Sequence, residues 1–182
     1  MDELKKTNAA PEANSPAPEQ NILTTFGRLG ITDYHVTEHE AIYHSDEAEE
    51  KGLILQGITP KNLLLRKKKT DRYYMVLTDY RMPADLKHFK ELTGWGQVRF
   101  AREEEMEELL GVGAGAVSPL ALVNDTSHHI TVVLAADIAG AAGDTWINVH
   151  PGRNTATLSM RKSDLLRYLD ALGCEVIADP GE

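Results

Sequence analysis

Residues 60–78 read PKNLLLRKKKTDRYYMVLT. Two apolar runs, KNLLLR at 61–66 and RYYMVLT at 72–78, flank a basic stretch, and the second run is rich in aromatic and β-favouring residues. This pattern predicts a β-hairpin with a basic turn and two largely buried strands. Working outward, YHVTEH (34–39) alternates as a short strand does. SDEAEEKG (45–52) reads as a helix capped by Ser45 and stopped by Gly52. Upstream, Ile22, Leu23, Phe26 and Leu29 recur at helical spacing before Gly30. Downstream, PADLKHFKELTG (83–94) predicts a helix with Pro83 at its start and Gly94 at its end. AREEEMEELLG (101–111) predicts another, with Glu103, Glu104, Glu105, Glu107 and Glu108 on a solvated face.

A glycine-rich connection, GVGAGAVSP (111–119), leads to the apolar LALV and a polar turn, then to strands at ITVVLA, DTWINVH and TATLSM. The chain closes with SDLLRYLDALG, a helix with Ser163 as N-cap, and a strand CEVIA that holds Cys174. Strands come in groups and do not alternate strictly with helices, so the expected fold is α+β, with a mixed, curved, barrel-like sheet flanked by helices.

The 182 residues have room for one domain with its own core. Residues 1–20 are expected to be a flexible tail, since prolines and alanines stand where a core needs large apolar groups, and 21–182 to be the domain. No apolar run is long enough for a membrane span and no signal-type stretch follows the N-terminal lysines, which predicts a cytoplasmic protein with no membrane partner. The lone Cys174 fits a reducing compartment. A net charge of −9 argues against a protein that coats nucleic acid, and no recognition-helix pattern points to specific DNA binding. Local contact remains open through Arg66, Lys67, Lys68, Lys69 and Arg72, which on charge alone read as a solvated turn or as a phosphate-binding patch.

No Ser-His-Asp or Cys-His signature and no phosphate-binding GxxxxGK[ST] loop is visible. His35 and His39 are four apart, but in a strand or loop that spacing does not put them on one face, so no metal or other cofactor is expected.

Three ordered stretches carry a resemblance: TPKNLLLRKKKTDRYYMVL, then GVGAGAVSPLALVNDT, then INVHPGRNTATLSM with the closing SDLLRYLDALG. Together they resemble the YbaK/ProX-type free-standing prolyl-tRNA editing deacylases, relatives of the editing domain inserted in bacterial prolyl-tRNA synthetase. The Lys-Asn pair and HPGRNTAT are most similar to the deacylases that act on alanyl-tRNA(Pro). The resemblance covers about residues 21–178 and implies a trans-editing hydrolase for mischarged tRNA(Pro), with prolyl-tRNA synthetase as a further partner.

Carried over by position, the resemblance makes Lys61 the lysine that contacts the 3′-terminal nucleotide and supports cleavage. Asn62 lies beside it as a substrate-binding residue. Gly115 and Pro119 match a GxxxP loop whose backbone amides surround the amino acid or an oxyanion, with Gly113 taken as part of the same loop. His150 matches the histidine of an HP motif and is expected to hold the substrate's amino group or carbonyl. Arg66, Lys67, Lys68 and Lys69 are the expected tRNA contacts. An activated ester needs mainly a placed water and a stabilised oxyanion, so no protein nucleophile is required, and the resemblance implies that the tRNA ribose hydroxyl assists. Alanine would enter a pocket too small for the proline ring. The competing reading is a module that binds tRNA ends or a synthetase without cleaving anything.

Overall fold

The computed structural model describes residues 17–44, 47–53 and 55–181. In chain order the elements are α1 (Ala17–Leu29), β1 (Tyr34–Glu38), α2 (Glu47–Glu50), β2 (Pro60–Lys67), β3 (Tyr73–Asp79), α3 (Leu86–Thr93), β4 (Val98–Phe100) and α4 (Glu103–Leu110). Two 3-10 turns, Ala114–Ala116 and Pro119–Asn124, follow. Then come β5 (Ile130–Leu134), α5 (Ala136–Ala139), β6 (Trp146–Val149), β7 (Ala156–Arg161), α6 (Lys162–Ala171) and β8 (Val176–Ala178).

The hairpin forms as its sequence predicts: β2 and β3 pair antiparallel, with Lys61 opposite Thr78 and Arg66 opposite Tyr73. It is the centre of a five-stranded mixed sheet, ordered β4-β2-β3-β5-β8, in which β3, β5 and β8 run parallel. Parallel strands are covered on both faces, and here the cover is unequal. Met75, Leu77, Val132 and Leu134 face the main core with Ile22, Phe26 and Tyr168 from α1 and α6. Val76 and Val133 face a smaller cluster under α3, with Phe89 and Trp95. That double burial explains why both strands read as continuous apolar runs.

A second sheet, β1-β7-β6, is antiparallel. It meets the first at one bridge: Ile58 N–H donates to the Trp146 carbonyl, and Asn148 N–H to the Ile58 carbonyl, each at 2.9 Å. Gly57 makes the approach feasible, since a Cβ there would lie 2.1 Å from the Trp146 carbonyl oxygen and its φ is +89°. The sheets are thus joined at the start of β2 and the middle of β6, without a closed barrel among the described residues.

Several local expectations change. Residues 17–20, assigned to the tail by composition, are the first turn of α1, and Glu19 is buried there in an ion pair with Arg153 at 2.8 Å. The rest of the tail and Ser45 lie outside the described residues. Asp85, not Pro83, opens α3, its carboxylate accepting from the N–H groups of Lys87 and His88. Ser163 does not cap α6, which starts at Lys162 after Arg161. Lys162 is buried instead, donating to the carbonyls of Ala139 and Ala141 at 2.6 Å each. Cys174 sits half-buried just before β8.

Glu105 departs furthest from the solvated face expected of it. Its carboxylate is buried, pairs with Arg66, accepts from Arg99 at 2.6 and 2.8 Å and takes the Arg102 N–H at 2.8 Å. Arg99 above all holds this carboxyl well below the usual carboxylate range. Glu105 therefore ties α4 to β2 and β4. Replacing it by Gln should cost about 2 kcal/mol at neutral pH, since two half-buried guanidinium groups lose their anion. Because the folded value is depressed, the contribution is fully present above the unfolded value of 4.5 and declines as pH falls through the lower folded one. Urea titrations at pH 7 and pH 3 check this: the wild type should lose more stability between them than Glu105→Gln does.

Candidate active site

A cleft of about 750 Å³ opens where the two sheets join. One wall is the loop into β2 and its first residues, Thr59 to Leu63, and the other is the end of β6, Asn148 to His150. Residues 42–44 and the turn at Ala114–Gly115 close the sides. The Ile58 bridge brings these distant segments together. Asn148, 1% exposed, reinforces it: its amide donates to the Gln56 carbonyl at 3.0 Å and Thr59 Oγ1 at 3.2 Å, and accepts from the Ser159 hydroxyl at 2.6 Å.

Four of the residues singled out by sequence line this cleft: Lys61, Asn62, Gly115 and His150. Lys61 is half-buried, and its ammonium donates to the Met82 carbonyl. Next to it lies the Asp79 carboxylate, which Arg81 foremost, with Lys61 contributing, holds below its ordinary value. Asn62 donates from Nδ2 to the Val117 carbonyl at 3.1 Å, while its buried Oδ1 has no hydrogen-bond partner among the described residues. A buried acceptor left unpaired costs free energy and needs an explanation.

His150 closes the far wall. Its Nδ1 lies 2.7 Å from the Ala156 carbonyl, which can only accept, so this nitrogen carries the proton and Nε2 bears a lone pair. Burial pushes the imidazole below its ordinary pKa, the Ala156 hydrogen bond opposes this, and His39, with ring centroids 6.2 Å apart, adds to it. At neutral pH His150 is therefore an uncharged acceptor.

The remaining expectations fare differently. Gly113 and Pro119 do not line the cleft. Pro119 is buried as the first residue of a 3-10 turn, where its fixed φ suits the helix start, and the Gly113 carbonyl accepts from Ala116 N–H at 3.0 Å. That bond commits one of the loop amides expected to face an oxyanion. Gly115 stays at the wall for a steric reason: a Cβ there would lie 3.0 Å from the Tyr43 ring and 3.1 Å from Asn154 Nδ2. Arg66 is committed to Glu105 and to the Thr70 carbonyl, and so is not a free phosphate contact. Lys67, Lys68 and Lys69 lie at the other end of β2, roughly 20 Å from Lys61 at the usual rise of a strand.

His35 packs on Trp146, whereas His39 bonds Thr157 at 2.9 Å and the Glu40 carbonyl at 2.7 Å, so different partners hold the two. Among the described residues no cluster of metal-ligating side chains occurs. Burial foremost pushes the Cys174 thiol up to about 11, which keeps it protonated at neutral pH. Among the described residues no helix is long and apolar enough to cross a membrane. Sequence reasoning missed Tyr43, Asn148 and Thr157, all on the cleft. Asn148 gave one faint signal, a polar residue on the otherwise apolar β6.

Comparison with known proteins gives a consistent result. A model of the aminoacyl-tRNA editing domain matches residues 39–168. The chain is 30% identical over 155 residues to the prolyl-tRNA editing protein ProX of Acetoanaerobium sticklandii, spanning 85% of this chain and 92% of that protein. It is 31% identical over 174 residues to a prolyl-tRNA synthetase associated domain-containing protein of Danio rerio, covering 93% and 94%. A crystal structure of a candidate trans-editing enzyme for prolyl tRNA synthetase superposes with a TM-score of 0.65 over 90% of this chain and 96% of that one, at 23% identity, which establishes the shared fold.

Proposed function

Since the chain belongs to the aminoacyl-tRNA editing domain family, we propose that it is a trans-editing deacylase that hydrolyses mischarged tRNA(Pro), with alanyl-tRNA(Pro) as its main substrate. One observation carries the reading: Lys61, the unpaired buried oxygen of Asn62 and the uncharged His150 come from distant segments to one cleft. An aminoacyl ester supplies what each lacks. Its α-ammonium donates to Asn62 Oδ1, and the Lys61 ammonium neutralises the terminal phosphate or polarises the ester carbonyl. His150 Nε2 accepts a hydrogen bond from the amino group or from the attacking water.

Water adds to the carbonyl carbon, the tetrahedral oxyanion collapses, and the bond to the ribose oxygen breaks. The ribose oxygen leaves with a proton, and the products are the free amino acid and tRNA. The neighbouring ribose hydroxyl assists, so no protein nucleophile takes part. The names of the relatives support prolyl-tRNA synthetase as the enzyme whose errors are corrected.

The test is to incubate the protein with tRNA(Pro) charged in turn with alanine, cysteine, serine and proline. Alanine should be released fastest and proline slowest. Release of none would overturn the deacylase reading in favour of a binding module, and faster release of cysteine would overturn the choice of alanine.

With Arg66 paired to Glu105, the basic turn contributes fewer free charges than its sequence has. Replacing Lys67, Lys68 and Lys69 by Ala should weaken tRNA binding and reduce its salt slope by roughly 0.9 for each phosphate that is no longer neutralised. The rate on saturating substrate should hold. An unchanged salt slope would return these lysines to a solvated turn.

A further inference from the structure

We infer that Tyr43 is a preorganised stacking platform for the 3′-terminal base of the tRNA, fixing how deep the aminoacyl ester enters the cleft; this deepens the editing reading and rests on it. Large apolar side chains left in water are few among the described residues, and Tyr43, at 65%, is the most exposed of them. It is also a cleft residue, so an exposed ring stands on the rim of the site. Met82, 50% exposed, is placed near the same rim by its carbonyl, which accepts from Lys61.

The Tyr43 ring is held from behind. It closes on the bare backbone of Gly115, where any Cβ would lie 3.0 Å from Tyr43 Cδ1. The chain is tied down at Tyr43 and just before it: Ile42 N–H donates to the Asn154 carbonyl at 2.9 Å, and Tyr43 N–H to the Glu47 carboxylate at 3.3 Å. A ring so placed loses little freedom when a flat partner covers it, which is what preorganisation contributes to binding.

The substrate supplies that partner. Its ester sits on the ribose of the last nucleotide, so an ester placed between Lys61 and Asn62 leaves the base one ribose away, at the cleft mouth. About 750 Å³ is far more space than alanine fills and accommodates a nucleoside as well. The other cleft tyrosine, Tyr80, already has the Arg81 guanidinium 5.8 Å from its ring centroid. Exposed Phe100 lies opposite Leu65, further along β2. Stacking tolerates any base, so Tyr43 adds affinity and depth, not base identity.

The test compares an uncharged acceptor-stem hairpin ending in adenosine with one whose last nucleotide lacks its base. The wild type should bind the complete hairpin about 10-fold more tightly, and Tyr43→Ala should bind both alike. Tyr43→Trp should keep the preference, whereas Tyr43→Leu, apolar but without a π face, should lose most of it. With alanyl-tRNA(Pro), Tyr43→Ala should raise KM about 10-fold and lower kcat as well, since the ester is no longer held at its depth. A Tyr43→Ala protein that still prefers the complete hairpin would overturn the platform. A platform that passes while no charged tRNA is hydrolysed would overturn the deacylase reading alone.

Discussion

Lys61→Ala is expected to lower kcat on alanyl-tRNA(Pro) by about 100-fold, the usual loss when one preorganised donor to a developing charge is removed. The melting temperature should hardly move. Lys61 is only half-buried, and its partner is the Met82 carbonyl on an exposed turn, which water can satisfy in its place. Nor would the Asp79 carboxylate be stranded, because Arg81 keeps it company at 2.6 and 3.0 Å. Lys61→Arg should recover only part of the rate, since a planar guanidinium does not reproduce a compact charge between strand and turn. Single-turnover hydrolysis with saturating enzyme separates chemistry from binding. Near-normal turnover in Lys61→Ala would remove the residue from the mechanism.

Where the sequence was legible, the information was local. The hairpin follows from two apolar runs around a basic turn, and α3 and α4 end on glycines at φ 65° and 68°, as their sequences predict. Lys61, Asn62 and His150 were singled out by the resemblance alone, through short motifs, and all three line the cleft. What failed depended on distant partners. Nothing near the run of glutamates shows that Glu105 lies between Arg66 and Arg99, so both Glu105 and Arg66 were read as solvent-facing. Proline and alanine around Glu19 conceal its pairing with Arg153, on the loop after His150. Similarly, Asn148 and Tyr43 acquire a role only once the Ile58 bridge and Gly115 bring remote segments together.

For His150 the decisive comparison is between two substitutions, because the residue has a structural and a chemical half. Nδ1–H satisfies the Ala156 carbonyl, so His150→Ala leaves a buried acceptor unpaired and should cost about 1–3 kcal/mol of stability. His150→Asn restores an N–H close to that carbonyl and should regain most of the stability, but it has nothing at the position of Nε2. If the lone pair of Nε2 serves the reaction, both variants should lose about 100-fold in kcat. The pH dependence gives a second readout. Burial depresses the folded pKa below 6.5, so in the window beneath 6.5 the unfolded chain gains a proton that the folded chain does not. Stability present above pH 6.5 should therefore decline as pH falls through the folded value, and His150→Asn should lack this increment. The wild-type rate should instead hold through that window and fall only at lower pH, where the folded His150 itself is protonated and Nε2 ceases to accept. A folded His150→Asn protein with normal rate would leave His150 a purely structural role, and the attacking water would then need another acceptor.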